Sequence, residues 1–218
     1  MTAAAPRVRL ATGNPGKREE LFRLVRAAVG PAADLRLLGW DDLGGLLEMP
    51  PEDAPSYAAN ALRKAEAVAA RDPQAAVLAD DSGIEVEALG GAPGLTSARW
   101  ATAPDGARLD GAGLNAALLA RLGGLPAARR GARMVCAVAL LLPGRPAVVG
   151  TGSVRGSVAL EQRGRGGFGY DAVFLLPDGR RFSEVPAEEK DACSHRGGAV
   201  AAAAPALRAW LGLSETWR

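Results

Sequence analysis

Two short segments hold side chains and turns whose spacing suits work on a phosphorylated small molecule. The first, ATGNPGK at 11–17, is a glycine-bearing loop that ends in a lysine, and the second, ADDSG at 79–83, sets two carboxylates side by side. A loop of this kind ahead of a helix presents free amide N–H groups to an anion, and the helix dipole adds to the attraction. Thr12, Gly13, Asn14, Pro15, Gly16 and Lys17 are therefore candidate phosphate contacts. Lys17 opens its helix, where the dipole disfavours a cation unless an anion is near, and that mismatch supports the assignment. The competing reading is turn chemistry alone, since glycine and proline shape loops without any ligand. A Walker loop is excluded, because the spacing of a glycine, four residues and then Gly-Lys-Ser/Thr is missing.

Adjacent carboxylates suit a hard cation such as magnesium. On an extended strand Asp80 and Asp81 would point to opposite faces, so only one of them can serve a given site. In a turn, Asp80 would cap local amides while Asp81 reaches a metal or a water; two solvated turn acids are the plainer reading. Ser82 either orients a ligand oxygen or makes a turn hydrogen bond. Glu52, in the loop PPED, is a further oxygen donor for a metal or simply an exposed acid. Asn60 and Lys64 stand four residues apart on one helix face, which is a solvated polar face unless it meets the phosphate loop, where Lys64 becomes a second cation for a polyphosphate. In GGFGYD at 166–171, Phe168 is placed to stack on a nucleobase and Asp171 to accept hydrogen bonds from it, with Gly169 and Tyr170 between them. Lys190, His195 and Arg196 form a donor-rich cluster suited to carbonyl oxygens, although a lone histidine is usually structural.

These groups need elements to position them. Residues 7–12 read as a strand with Val8 and Leu10 on one face, and Leu21, Leu24, Val25, Ala28 and Val29 follow at helical spacing, so the loop lies at a strand-to-helix junction. Residues 34–38 read as a short strand and 56–71 as a helix with Ala58, Leu62, Ala65 and Ala69 inward. A short buried strand at 76–79 runs into the carboxylates, and Ile84, Val86 and Ala88 alternate with Glu85 and Glu87, which predicts a hairpin with Asp80 and Asp81 at its tip. Residues 90–94 are a loop, 114–122 a helix, and 133–142 and 147–154 long strands, antiparallel neighbours joined through PGRP. A second glycine-rich segment at 164–169 leads into 170–176, and PDGR at 177–180 signals a turn. The last helix, 196–211, contains Pro205, which should kink or split it. The alternation of strands and helices is that of an α/β fold.

The 218 residues fit a single domain, 1–218, and 48% apolar composition supplies a substantial core. With 26 basic against 24 acidic residues there is no basic stripe to call for nucleic acid. MTAAAPRVR lacks the apolar core of a signal peptide, and no stretch approaches the roughly 18 apolar residues of a membrane span, so a cytoplasmic location is expected. Cys136 and Cys193 have no metal or redox spacing and are expected to be reduced, Cys136 in the core and Cys193 in packing.

Taken together, ATGNPGK at 11–17, NALRKA at 60–65, ADDSGIEVEALGGAPGLTSARW at 79–100, GGFGYDAVF at 166–174 and EEKDACSHRG at 188–197 resemble the inosine/xanthosine triphosphatase family, pyrophosphatases for aberrant purine nucleoside triphosphates. The resemblance runs in order over most of the chain. It implies an elongated α/β domain with a central mixed sheet flanked by helices, two lobes around an active-site cleft, and a homodimer. It further implies Mg2+-dependent hydrolysis of ITP, dITP and XTP to the monophosphate and pyrophosphate. By this resemblance Asp81 is the proton acceptor and a magnesium ligand, Glu52 a second ligand, and Ser82 a substrate contact. Residues 12–17 and Lys64 hold the triphosphate, while Phe168, Gly169, Tyr170, Asp171, Lys190, His195 and Arg196 contact the base. Two positions depart from the family pattern: Ala172 stands where proline is common, and Ala59 where glutamate is common.

Overall fold

The computed structural model describes residues 5–31, 33–39, 41–43 and 48–213; residues 1–4 of the N-terminal stretch read against a signal peptide lie outside these. Six strands, β1 (Arg7–Leu10), β2 (Arg36–Gly39), β3 (Ala76–Val86), β4 (Gly131–Leu141), β5 (Val148–Val158) and β6 (Phe174–Leu175), form one sheet in the order β2-β1-β3-β4-β5-β6. The helices are α1 (Pro15–Val29), α2 (Tyr57–Ala69), α3 (Gly111–Arg121), α4 (Ala187–Cys193) and α5 (His195–Trp210). β1 runs parallel to β2 and β3, whereas β6 is antiparallel to β5. Between neighbours β4 and β5 the connection is residues 142–147, far shorter than a parallel crossover needs, so they form a hairpin. The sheet is mixed and the class α/β, as the alternation predicts.

The chain forms two compact units. The first comprises Met1–Asp81, Cys136–Gly152 and Arg196–Arg218, and the second Ser82–Val135 and Ser153–His195. In the first, Val8 and Leu10 of β1 and Leu78 of β3 pack with Leu21, Val25 and Val29 of α1 and with Val200 and Leu207 of α5. Val77 and Ala79 of the same β3 join Ala61, Ala65 and Val68 of α2 in a separate cluster. Burial of both sheet faces explains why β3 reads as an unbroken apolar run over 76–79. α5 lies close on β5: a Cβ at Gly150 would stand 2.2 Å from the carbonyl oxygen of Ala199. The second unit buries Ile84 and Val86 against Leu114 and Leu118 of α3 and Leu122 just after it, with Phe174 and Phe182 stacked at 5.3 Å. Buried Arg130 donates to the carbonyls of Val158, Leu122 and Ala159, which ties the α3 end to the β5 end.

Four expectations need correction. β3 continues through Asp80 and Asp81, so the hairpin tip does not form. Each carboxylate meets buried partners while extended, and no turn is needed to solvate it. The buried face of α2 is Asn60, Ala61, Lys64, Ala65 and Val68, so the polar pair points inward and Ala58, Leu62 and Ala69 are only half-buried. α5 remains helical through exposed Pro205, because Ala199, Val200, Ala203 and Leu207 anchor it in the core on both sides. Cys193 is exposed at the end of α4 and packs into no core, unlike buried Cys136. Among the described residues no helix is long and apolar enough to cross a membrane.

Candidate active site

At the end of β1 the chain turns through residues 11–14 into α1. The side chain of Asn14 accepts from the Lys17 amide at 3.1 Å and caps the helix, Pro15 occupies its first turn, and buried Thr12 accepts from the Asn14 amide. Gly13, Asn14 and Pro15 are exposed. Lys17 Nζ lies 3.1 Å from Asp80 Oδ2, and that oxygen also accepts from Arg196 Nε at 3.1 Å. Arg196 Nη1 donates to Glu20 Oε2 at 2.7 Å, and Glu20 stands one turn after Lys17 on α1. Lys17, Asp80, Arg196 and Glu20 thus form a chain of alternating charge. Burial alone would push the fully buried Asp80 carboxyl up, but the Lys17 and Arg196 cations outweigh it and hold it well below the usual carboxylate range.

Its neighbour behaves oppositely. Asp81 Oδ2 accepts from Asn60 Nδ2 at 2.9 Å, and Asn60 Oδ1 accepts from the Ala54 amide at 2.9 Å, which ties the loop of Glu52 to the same helix face. Lys64 Nζ donates to Glu52 Oε1 at 2.6 Å and stands 3.8 Å from Asp81 Oδ1. Burial raises the Asp81 carboxyl, and Lys64 and Lys17 offset this only in part, with Glu52 adding repulsion. Lys64 is pulled down by burial, but Asp80, Glu52 and Asp81 together raise it, so its ammonium stays charged. Glu52 and Asp81 therefore converge on one cation. No group of three metal-ligating acids, histidines or cysteines exists among the described residues. Two carboxylates fit a magnesium ion nonetheless, because that ion takes most of its remaining ligands from water and substrate phosphates.

In the second unit Phe168, Tyr170, Asp171, Lys190 and His195 lie on or beside the turn Gly169–Ala172 and α4. Asp171 Oδ2 accepts from the Phe168 amide at 2.8 Å and from Lys190 Nζ at 2.6 Å. A Cβ at Gly167, whose φ is +71°, would stand 2.1 Å from that oxygen, so only glycine permits the bond. Lys190 Nζ also sits 4.9 Å from the Phe168 ring centroid, a cation–π distance. The Tyr170 hydroxyl donates to the Ser97 carbonyl, and burial pushes its pKa upward, so it acts as a neutral anchor. Asn115 of α3 donates to the Gly169 carbonyl at 2.9 Å. His195 is buried with its ring 6.3 Å from that of Phe182. Ser82, half-buried, begins the second unit directly after Asp81.

Of the residues that sequence reasoning groups for the base, Phe168, Asp171 and Lys190 are in contact, and His195 reaches them through the Phe182 ring, which Lys190 also faces at 5.5 Å. Arg196 belongs to the first unit instead, bound to Asp80 and Glu20. Glu20 and Asn115 were missed: each is a polar residue within a helix that otherwise reads as a solvated position. Glu20 directly before core residue Leu21 is the one signal that could have flagged it.

Residues 8–206 match the Ham1 family. A protein named dITP/XTP pyrophosphatase from Frankia alni is 44% identical over 205 residues, covering 93% of this chain and 97% of that one. One of the same name from Mycobacterium tuberculosis is 44% identical over 207 residues, with 94% and 97% covered. Among solved structures, a HAM1 protein from Coxiella burnetii has a TM-score of 0.78 at 29% identity, over 94% of this chain and 99% of that one. The nucleoside-triphosphatase, or dITP/XTP pyrophosphatase, from Mycobacterium abscessus has a TM-score of 0.66 at 40% identity, with 88% and 95% covered. On the motifs, the length of the match and the shared fold, the chain belongs to the Ham1 family.

Proposed function

We propose that the protein hydrolyses the α–β phosphoanhydride of dITP, ITP and XTP, giving the nucleoside monophosphate and pyrophosphate and so clearing deaminated purines from the cytoplasmic nucleotide pool. The reading rests above all on the divergence of two adjacent aspartates on β3. Asp80 is spent as a permanently charged partner of Lys17 and Arg196, while Asp81 is raised toward a useful base and sits beside Lys64 and Glu52. Neighbouring carboxylates driven apart in this way mark a division between a fixed charge and a proton-transfer group.

In this mechanism the exposed amide of Gly13, the first-turn amide of Gly16 and the ammonium groups of Lys17 and Lys64 hold the phosphate chain. A water oxygen bonds to the α phosphorus as the bond from that phosphorus to the bridging oxygen breaks. Asp81 accepts the water proton, and the bridging electron pair leaves with pyrophosphate, whose charge Lys17 and Lys64 offset. Asp81 and Glu52 would hold Mg2+, which supplies further neutralisation of phosphate oxygens and lowers the pKa of a bound water. Asn60 keeps the Asp81 carboxylate oriented by donating to Oδ2. Asp80 aims Lys17, and Arg196 with Glu20 holds Asp80, so Arg196 is a positioning residue in this scheme. Ser82 is retained as a substrate contact.

Base choice is assigned to the second unit. Phe168 offers a stacking face that tolerates any purine, while Lys190 and Asp171 fix its orientation. His195 and the backbone amides around Gly169 and Tyr170 supply donors for a 6-oxo group. Adenine presents an amino donor there and would leave buried donors unpaired. The homodimer implied by the resemblance is part of the same proposal and is checked by light scattering.

Product analysis with magnesium and a panel of dITP, XTP, ITP, GTP and ATP tests the reading. Pyrophosphate and monophosphate should appear from the first three, and Asp81→Asn should abolish most turnover while the protein stays folded. Release of orthophosphate in place of pyrophosphate, or near-normal turnover by folded Asp81→Asn, would overturn it.

A further inference from the structure

The first unit carries a second concentration of guanidinium groups that the proposed reaction does not use. A cavity of about 510 Å³ is lined by Arg7, Arg9, Arg36, Arg71, Asp42 and Asp72, with Leu38 and Leu43 completing its wall. It shares no residue with the phosphate loop or with the pair Glu52 and Asp81. Arg71 follows Lys64 by seven residues near the end of α2, which separates it by roughly 10 Å along the helix direction.

The topology forces the charges together. Arg7 and Arg9 alternate with core residue Val8, so both leave β1 on the same face. Arg36 is the register partner of Arg7 on the parallel neighbour β2, and like charges set beside each other across strands are destabilising. The acids in the wall are already engaged. Asp72 accepts from Arg7 Nη2 at 2.8 Å and Arg9 Nε at 2.7 Å, and Asp42 Oδ2 accepts from the Gly39 amide at 2.8 Å. Arg36 and Arg71 are exposed and form no ion pair among the described residues. Four arginines thus face two aspartates, and the cavity keeps two uncompensated positive charges.

We propose that this cavity is an anion site for a small molecule bearing two or more linked phosphates. Guanidinium forks match phosphate oxygens two at a time, which a single carboxylate would not exploit. The excess of two charges suits a di- or triphosphate, and the volume lies within the range of small-molecule sites. Asp72 orients Arg7 and Arg9 from below, and Arg36 and Arg71 are the free arms that close on the ligand. The site stands whether or not the proposed hydrolysis is correct, since none of its residues takes part in that reaction.

Titration calorimetry of the full chain with inorganic tripolyphosphate tests it. Wild type should show two binding events, and Arg36→Glu/Arg71→Glu should weaken one at least about tenfold. Lys64→Ala should weaken the other and leave this one intact. Arg145→Glu/Arg155→Glu, at two exposed arginines outside the cavity, changes the net charge equally and should leave both events unaltered. The neutral pair Arg36→Gln/Arg71→Gln should act in the same direction as the reversal, which covers misfolding of the latter. ADP in place of tripolyphosphate should bind the cavity and be lost with the same variants, because the phosphates are what is read. A wild-type binding isotherm that the Arg36 and Arg71 substitutions leave unchanged, equal losses in both charge-reversed proteins, or ADP binding to Lys64→Ala that survives the added Arg36 and Arg71 substitutions would overturn the proposal.

Discussion

Asp80→Asn separates the roles of the two aspartates most sharply, because it removes one charge from the buried chain of ion pairs and almost no volume. Asp80 is fully buried, and Lys17 and Arg196 both depend on its Oδ2. Without that carboxylate Lys17 and Arg196 lose their shared acid, and Glu20 remains on Arg196. Breaking a buried ion pair by neutralising one partner costs roughly 3–5 kcal/mol. Asparagine keeps one acceptor oxygen, and the Lys17 side chain is 16% exposed and gains some hydration, so the lower end, about 3 kcal/mol, is expected. At roughly 2–4 °C per kcal/mol for a chain of this size, Tm should fall by about 6–12 °C at pH 7. The folded-state pKa of Asp80 lies below its unfolded value of about 3.9. Its stabilisation is therefore complete above that value and lost as pH falls through the folded one. Thermal melts of both proteins should keep a constant gap between pH 5 and 8, and the gap should narrow below about pH 4. A Tm difference under 2 °C at pH 7, or a gap that persists unchanged into acid, would refute the ion pairs with Lys17 and Arg196 as the reason for Asp80's burial.

Glu52→Gln should raise the magnesium concentration needed for half-maximal pyrophosphate release while the protein keeps its fold; an unchanged magnesium requirement would remove Glu52 from the metal site. Phe168→Ala should lower kcat/KM for dITP and for residual dATP by similar factors, of roughly 5- to 150-fold for stacking worth about 1–3 kcal/mol. His195→Ala should instead shrink the dITP-to-dATP ratio, and a preserved ratio would move base selection to the backbone amides.

The parts of the fold that were legible in the sequence are those where one local signal and the tertiary environment agree. The apolar spacing of Leu21, Leu24, Val25, Ala28 and Val29 gave α1 and its buried face together. The hairpin error at Asp80 and Asp81 arose because adjacent acids read as a solvent-facing turn. What keeps β3 extended is charge supplied by Lys17 at a distance of 63 residues and Arg196 at 116, which no window along the chain contains. α2 was misread for the same reason. Its alanines fit either face, and only the carboxylates of Glu52 and Asp81 select the face that bears Asn60 and Lys64. Arg196 shows the further limit. Its place beside His195 in sequence suggested one shared task, yet consecutive residues can project into different surroundings, and His195 joins the Phe182 side while Arg196 is bound by Glu20 and Asp80. Residue types thus revealed which groups carry the chemistry, whereas the partition between groups that react and groups that hold them depends on which buried charges face one another.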